Sequence, residues 1–270
     1  MRTERLDIIL VERGLAQSRT LAQRLVMAGQ VRVNGQMIIK PSARMSEAAI
    51  VEVIQGPKYV SRGGEKLEAA LIAFGKENLK GYTCADVGSS TGGFTDCMLQ
   101  AGAARVYAID VGHGILDWRL RQDARVVVME ETNARNVASL PEEMDLVTID
   151  ASFISLGVLL PVVRGWLKET QGEVIALIKP QFEAGRKVVA KGAGVVRNHE
   201  VHRQVLMDVL QYCKAAGWGV AGLIRSPLTG PKGNIEFLVS LKIVSVENHL
   251  PSLIEAAMDG LQSAADRALM

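Results

Sequence analysis

The chain has 270 residues, an apolar fraction of 48% and a formal net charge of +2 at pH 7. This length allows one large domain and a small one, and the apolar fraction is enough for a packed core, which excludes a disordered chain. The longest uncharged stretch, 151–163, is too short to span a membrane, and the first residues lack the apolar core of a signal peptide. Three cysteines without a CxxC spacing predict a reduced, cytoplasmic protein that requires no metal.

The positive charge lies at the beginning of the chain. Residues 1–59 carry nine Lys or Arg and five Asp or Glu, whereas the rest has a small negative balance. A basic module beside a nearly neutral domain is typical of a protein that binds a polyanion, usually nucleic acid. Charge alone equally allows a basic surface that is merely solvated.

This first module has a readable local pattern. Ser18 is predicted to cap a helix over 19–28, whose Leu21, Leu25 and Ala28 line one face. The runs 31–33 and 37–39, separated by Asn34-Gly35, predict a hairpin with a type I′ turn, and 50–53 predicts a further strand. The candidate RNA-binding residues are the arginines at polar positions, Arg13, Arg19, Arg24 and Arg32.

The helix, the glycine after it and V-R-V-N-G together resemble the αL-type RNA-binding domain of a small-subunit ribosomal protein and of pseudouridine synthases. The resemblance covers residues 5 to about 54 and implies a small α+β domain. It also implies that a structured RNA is recognised by its shape and phosphates. We place the domain over 1–59 and a Pro- and Gly-rich linker over 60–64, in which Arg62 is a further candidate RNA contact.

A glycine-rich loop, D-V-G-S-S-T-G-G-F-T-D over 86–96, lies between a predicted strand and a predicted helix. The next strand, 105–110, ends on Asp110, where a carboxylate can accept hydrogen bonds from ribose hydroxyls. Ser90 replaces the middle glycine that a pyrophosphate requires, which favours a phosphate-free nucleoside such as S-adenosylmethionine over NAD or FAD. A glycine loop that only turns the chain is the alternative.

Further strand patterns follow Asp110 along the chain. They cover 126–129, 145–150, 173–178, 218–224 and 235–241, with helical segments between them. This alternation predicts an α/β fold with a mostly parallel seven-stranded sheet and helices on both faces. Ligands of such sheets bind beyond the carboxyl ends of the strands, where Asp110, Asn133, Asp150 and Lys179 are expected.

Four ionisable residues lie where apolar neighbours predict burial. Asp150 and Lys179 end predicted strands, Glu236 lies inside the strand 235–241, and Lys66 lies near the start of a helix. Any one of them could equally be part of a structural ion pair. Their order, Lys–Asp–Lys–Glu, matches the tetrad of ribose 2′-O-methyltransferases of the FtsJ/RrmJ class.

Six motifs together resemble the TlyA (hemolysin A) family of rRNA 2′-O-methyltransferases, to about Lys242. They are S-R-G-G-x-K-L, D-V-G-S-S-T-G-G-F-T-D, I-D-V-G, D-A-S-F-I-S-L, I-K-P-Q-F-E and G-P-K-G-N-I-E-F. The resemblance implies a Rossmann-like, S-adenosylmethionine-dependent methyltransferase domain over 65–245 that acts on ribosomal RNA or ribosomal subunits. The implied catalytic residues are Lys66, Asp150, Lys179 and Glu236. The implied cofactor-binding residues are Asp86, Gly88, Ser89, Gly92, Gly93, Phe94, Asp110 on the ribose and Asn133 near the adenine.

Three details complete these expectations. The segment 184–198 is basic and glycine-rich, and is either a substrate-gripping loop or a long surface connection. Residues 246–270 are predicted to form a helical tail. Two other functions remain open: a membrane-active hemolysin, which would need a long apolar or strongly amphipathic segment, and an RNA-binding protein with a silent methyltransferase domain.

Overall fold

The computed structural model describes residues 3–54, 56–185 and 194–259. Most of the segment 184–198, at 186–193, and the tail beyond 259 lie outside the described residues. The chain divides into two compact units, Met1–Lys58 and Tyr59–Met270. Each unit has its own core, so each is described by itself.

The first unit contains two helices and two small antiparallel sheets. The helices are α1 (Leu6–Glu12) and α2 (Arg19–Met27). One sheet pairs β1 (Thr3–Arg5) with β4 (Arg44–Ser46), and the other has the order β3-β2-β5, formed by β3 (Gln36–Met37), β2 (Val31–Val33) and β5 (Val51–Val53). The hairpin between β2 and β3 turns through Asn34 and Gly35, whose φ angles of 51° and 80° are those of the predicted type I′ turn.

The cap of α2 is confirmed, but of the three residues predicted for its buried face only Leu25 packs on the core, and Leu21 and Ala28 are exposed. Ser18 Oγ accepts a hydrogen bond from the Leu21 amide at 3.2 Å. Ala22 and Val26 are buried in the core of the unit, whereas Leu21 is exposed. The buried stripe is rotated by one residue, because contact with α1 selects the face, and several apolar positions on α2 could have supplied it.

The second unit is built on a seven-stranded sheet with the order β11-β12-β10-β9-β6-β7-β8. In chain order the strands are β6 (Thr83–Val87), β7 (Arg105–Ile109), β8 (Val126–Met129), β9 (Leu146–Ile149), β10 (Glu173–Ile178), β11 (Gly219–Arg225) and β12 (Phe237–Lys242). Among these seven strands, β12 runs in the direction opposite to the other six. The predicted mostly parallel sheet is therefore confirmed.

Helices cover both faces of this sheet. They are α3 (Gly63–Ala73), α4 (Gly93–Gln100), α5 (Trp118–Arg121), α6 (Leu156–Arg164), α7 (Pro180–Glu183), α8 (His199–Ala215) and α9 (Leu250–Met258). On β10, Ile175 and Leu177 belong to the core shared with α3 and α4, whereas Ala176 and Ile178 belong to the core shared with α6, α8 and α9. Most residues of the strands are apolar because helices cover both faces of the sheet.

The strand order reverses beside β6. The strands β7 and β8 lie on one side of β6, and β9 and β10 lie on the other. The carboxyl ends of β6 and β9 therefore flank a crevice, the position where open α/β sheets bind ligands. Gly88 follows β6 with a φ of 82°, and a side chain there would collide with the Asp150 carbonyl that follows β9. A glycine is thus required at the crevice.

Candidate functional site

The four ionisable residues meet at the carboxyl edge of the sheet. Asp150 directly follows β9, Lys179 directly follows β10, and Lys66 lies in the first turn of α3. Glu236 directly precedes β12, so the prediction that placed it inside the strand was wrong by one position. Because β12 is antiparallel to β10, with Phe237 opposite Ile178, the start of β12 lies where β10 ends.

The tetrad is organised as two lysine–carboxylate pairs. Lys66 Nζ lies 2.5 Å from Glu236 Oε2, and Lys179 Nζ lies 2.6 Å from Asp150 Oδ1. Lys179 also donates to the Asp150 carbonyl at 3.4 Å and to Ser152 Oγ at 3.2 Å. Three of the four residues are buried, so each charge has a partner where water is scarce.

The glycine-rich loop is held by backbone contacts. The amides of Gly88 and Ser89 both donate to the Ile109 carbonyl at the end of β7. The Asp110 carboxylate accepts hydrogen bonds from the Ser90 amide at 2.8 Å and from the Gly112 amide at 2.7 Å. Each carboxylate oxygen retains a further acceptor site, so Asp110 can tie down the loop and still accept from a ligand.

Asp86 lies beneath this loop. It is buried and accepts hydrogen bonds from Thr95 Oγ1 at 2.7 Å and from Thr148 Oγ1 at 3.1 Å. Burial raises the pKa of Asp86 to about 7, aided by the nearby Asp150 and opposed by the two threonine hydrogen bonds. Asp86 therefore joins β6 to α4 and β9 and supports the loop from below.

Two cavities adjoin at this edge. The first has a volume of about 360 Å³, and its lining includes Arg62, Lys66, Ser89, Phe94, Leu228 and Thr229. The second has a volume of about 520 Å³, and its lining includes Asp110, Asn133, Arg135, Phe153, Ile154 and Leu159. Gly88, Ser90 and Asp150 line both. We name them the catalytic cavity and the nucleoside cavity.

The predicted loop residues differ in how they meet these cavities. Gly88, Ser89, Gly93 and Phe94 line the catalytic cavity. Gly92 instead directly precedes α4. Its φ is 96°, and a side chain at this position would collide with Leu120. Asn133 lines the nucleoside cavity, while its Oδ1 accepts from the Arg135 amide at 3.1 Å.

Three further residues of the site were missed in the sequence. Ser152 contacts Lys179, and Gln181 donates to Glu236 Oε1 at 3.1 Å. Phe153 is 90% exposed and has a φ of 63°, an uncommon backbone conformation for an aromatic residue, beside the nucleoside cavity. Their position in D-A-S-F and K-P-Q-F, directly after strands that end at the crevice, is the sequence feature that could have identified them.

The candidate RNA-binding arginines fall into two groups. Arg13 donates to the carbonyls of Ala49 and Glu47, and Arg19 donates to Asp7 Oδ2 at 3.0 Å. Both therefore stabilise their own unit. All five arginines are exposed, and Arg62 lines the catalytic cavity.

Asp7 is a buried ion-pair centre in the first unit. The Arg5 guanidinium, with Gln23 and Arg19, holds the pKa of Asp7 well below its usual range, although burial opposes this shift. The contacts join α1 to α2. Asp7 is thus a structural residue and ionised at neutral pH.

The arrangement of possible metal ligands and the apolarity of the helices bear on the predictions about metal and membrane binding. Within 3–54, 56–185 and 194–259, no three His, Cys, Asp or Glu side chains are grouped as a metal would need. In the same residues, no helix combines the length and apolarity needed to cross a bilayer. Cys84, Cys97 and Cys213, all among the described residues, are buried, and none of them forms a disulfide.

Comparison with known proteins gives consistent matches over almost the whole chain. The FtsJ-like methyltransferase model matches residues 59–243, and the S4 domain model matches residues 4–51. "Putative rRNA methyltransferase YqxC" of Bacillus subtilis is 50% identical over 88% of this chain and 85% of its own. "16S/23S rRNA (cytidine-2'-O)-methyltransferase TlyA" of Mycobacterium tuberculosis is 42% identical over 89% of this chain and 90% of its own.

A solved structure extends the match to three dimensions. "Putative hemolysin from Streptococcus thermophilus" is 40% identical, covers 100% of this chain and 99% of its own, and superposes with a TM-score of 0.73. The matched family model covers the sheet, the glycine-rich loop and all four tetrad residues. The chain belongs to the FtsJ-like methyltransferase family and carries an S4 domain ahead of its methyltransferase domain.

Proposed function

We propose that the protein transfers a methyl group from S-adenosylmethionine to a ribose 2′-hydroxyl of ribosomal RNA. The observation that carries this proposal is the pair of lysine–carboxylate contacts, Lys66–Glu236 and Lys179–Asp150, at two adjoining cavities. The relative from Mycobacterium tuberculosis is named for cytidine methylation of 16S and 23S rRNA. A cytidine ribose is therefore the substrate proposed for this chain.

The nucleoside cavity fits the cofactor. Its volume of about 520 Å³ lies within the range of small-molecule sites. Asp110 and Asn133 would hold the nucleoside, and Ser89 would hold the amino-acid part. Ser89 Oγ is buried and has no hydrogen-bond partner among the described residues, which leaves it available to a ligand. When bound, S-adenosylmethionine supplies an electrophilic methyl group on a sulfonium.

The tetrad supplies alignment and proton removal. A ribose hydroxyl is a poor nucleophile, so the site must fix its position and take its proton. Alignment contributes up to about 7–11 kcal/mol, and a placed general base about 10²–10⁴-fold in rate. Lys179 is the proposed base: as the neutral amine it would accept the hydroxyl proton and become the ammonium that Asp150 stabilises. Its Nζ contacts Asp150, which lines both cavities, and Ser152.

Lys66 and Arg62 have a different proposed role. Both line the catalytic cavity, and Glu236 fixes the Lys66 ammonium. Cations at this position would bind the ribose or a neighbouring phosphate. Phe153 offers an exposed aromatic face to an unpaired base, and the S4 domain supplies further RNA affinity.

The test is transfer of labelled methyl from S-adenosylmethionine to purified, unmodified ribosomal subunits. Lys179→Ala is expected to abolish label at a site that resists alkaline cleavage, because the proposed base is gone. Lys168→Ala is the matched control, since Lys168 also lies 2.6 Å from an aspartate, Asp145, which unlike Asp150 lines neither cavity. Near wild-type turnover by Lys179→Ala would refute the assignment of the base. No label with wild-type protein that binds S-adenosylmethionine would refute the rRNA substrate.

A further inference from the structure

Gln181 contacts the Lys66–Glu236 pair of the tetrad. It lies two residues after Lys179, in the first turn of α7, and its Nε2 donates to Glu236 Oε1 at 3.1 Å. The other oxygen of Glu236 holds Lys66 Nζ at 2.5 Å. Gln181, Glu236 and Lys66 are all buried, so a hydrogen-bonded chain shielded from solvent runs from α7 to α3.

The carbonyl oxygen of the Gln181 side chain has no hydrogen-bond donor among the described residues. Gln181 Oε1 is buried and meets no hydrogen-bond donor in the part of the chain that the structure describes. Rotating the amide by 180° would place this oxygen against Glu236. An ionised carboxylate can accept a hydrogen bond but cannot donate one, so the rotated amide would have no donor there. Leaving a buried acceptor unpaired costs stability, and such groups in folded proteins call for a functional explanation.

Gly230 restricts the same carboxylate. A side chain at Gly230 would collide with Glu236 Oε1, so the backbone of the loop before β12 packs directly on the acid. Glu236 is thereby held by Lys66, Gln181 and Gly230 together. Lysine has a flexible four-carbon stem, so the position of its ammonium depends on how firmly its carboxylate partner is held.

We propose that Gln181 is a positioning residue that acts through Glu236 to fix the Lys66 ammonium in the catalytic cavity. This inference rests on the proposed methyl transfer. It adds one buried polar residue to the four residues of the tetrad. Gln181 and Glu236 line neither cavity, whereas Lys66 lines the catalytic cavity, so the effect of Gln181 is expected to reach the substrate through this lysine.

The first test removes the hydrogen bond and keeps the side-chain length. Gln181→Met is expected to lower kcat for methyl transfer to purified, unmodified ribosomal subunits roughly ten- to hundredfold, the range for losing a hydrogen bond to a charged group. The thermal midpoint should not fall and the Kd for S-adenosylmethionine should not rise, because the unpaired acceptor is also removed. Gln204→Met is the matched control: Gln204 is exposed and donates to Asp208 at 2.8 Å, outside both cavities.

The second test uses a side chain of the same shape. Gln181→Glu places a second carboxyl against Glu236, with Lys66 facing from α3 and the Lys179–Asp150 pair at the ends of β10 and β9. Two facing carboxyls share a proton, and the protonated form can donate as glutamine does. The ratio of variant to wild-type rate should therefore rise as pH falls from about 8 to about 6, whereas the ratio for Gln181→Met should stay constant.

These outcomes separate positioning from simple structural support. Unchanged kcat in Gln181→Met, a loss of activity that follows a loss of thermal midpoint, or a constant ratio for Gln181→Glu would each overturn the positioning role. A wild-type protein that transfers no methyl to the subunits would overturn the proposed function, and this inference with it.

Discussion

The Asp110 carboxylate accepts a hydrogen bond from the Ser90 amide at 2.8 Å, so the acid after β7 holds the loop that follows β6. Its other oxygen accepts from Gly112 at 2.7 Å. A single carboxylate thus shapes the loop at the nucleoside cavity and also lines that cavity. The structural role and the proposed ligand-binding role coincide at this residue.

Replacing Asp110 should weaken the binding of S-adenosylmethionine. In Asp110→Ala both amides lose a charged acceptor, which corresponds to about 1.5–3 kcal/mol for each such bond. We expect at least a tenfold rise in the Kd measured by calorimetry. Asp123→Ala is the control, because Asp123 accepts from the Arg125 amide in the same way outside both cavities. Equal Kd values in the two variants would remove Asp110 from the site.

The pKa of Asp86, raised to about 7, predicts a pH dependence of stability. Between about pH 4 and pH 7 the folded protein holds a proton that the unfolded chain releases, so the free energy of unfolding falls as pH rises through this window. Asp86→Asn cannot ionise and should lose less stability over the same range. Denaturant unfolding at about pH 5 and about pH 8 would show the difference. Parallel changes in both proteins would contradict the buried, protonated carboxyl.

A side chain at Gly88 should destabilise the methyltransferase unit. Gly88→Ala adds a left-handed backbone penalty and a collision with the Asp150 carbonyl. Gly81→Ala provides the matched control, since Gly81 has a φ of 84° and open space around its missing side chain. The Gly88 variant should have the lower thermal midpoint, by a margin consistent with a steric cost of about 1–3 kcal/mol. Similar midpoints would show that the crevice can widen.

The arginines of the S4 domain should separate into two classes. Arg32→Gln, at an exposed site, should weaken RNA binding and reduce the slope of log Kd against log salt by about one, without a change in stability. Arg13→Gln should instead destabilise the unit, because the Ala49 and Glu47 carbonyls lose their donor. Filter binding over a salt series and thermal unfolding would test both. Loss of RNA affinity in neither variant would place the RNA on another surface.

Local patterns in the sequence predicted the strands of the large sheet and the α2–β2–β3 segment of the first unit, but not β1, α1 or β4. The seven strands, the cap at Ser18 and the Asn34-Gly35 turn follow from short-range rules of periodicity, capping and turn geometry. The glycine-rich loop and the order Lys–Asp–Lys–Glu pointed to the crevice and to the family, because these residue types at strand ends have few other uses.

Only the tertiary structure decided which of these residues touch. Lys66 and Glu236 lie 170 positions apart in sequence, and they meet because β12 enters the sheet antiparallel beside β10. The same long-range packing buried Asp86 beneath the loop, assigned Arg13 to backbone carbonyls and brought Gln181 to Glu236. Periodicity and capping act over a few residues, whereas sheet order, helix rotation and ion-pair partners depend on contacts between distant segments.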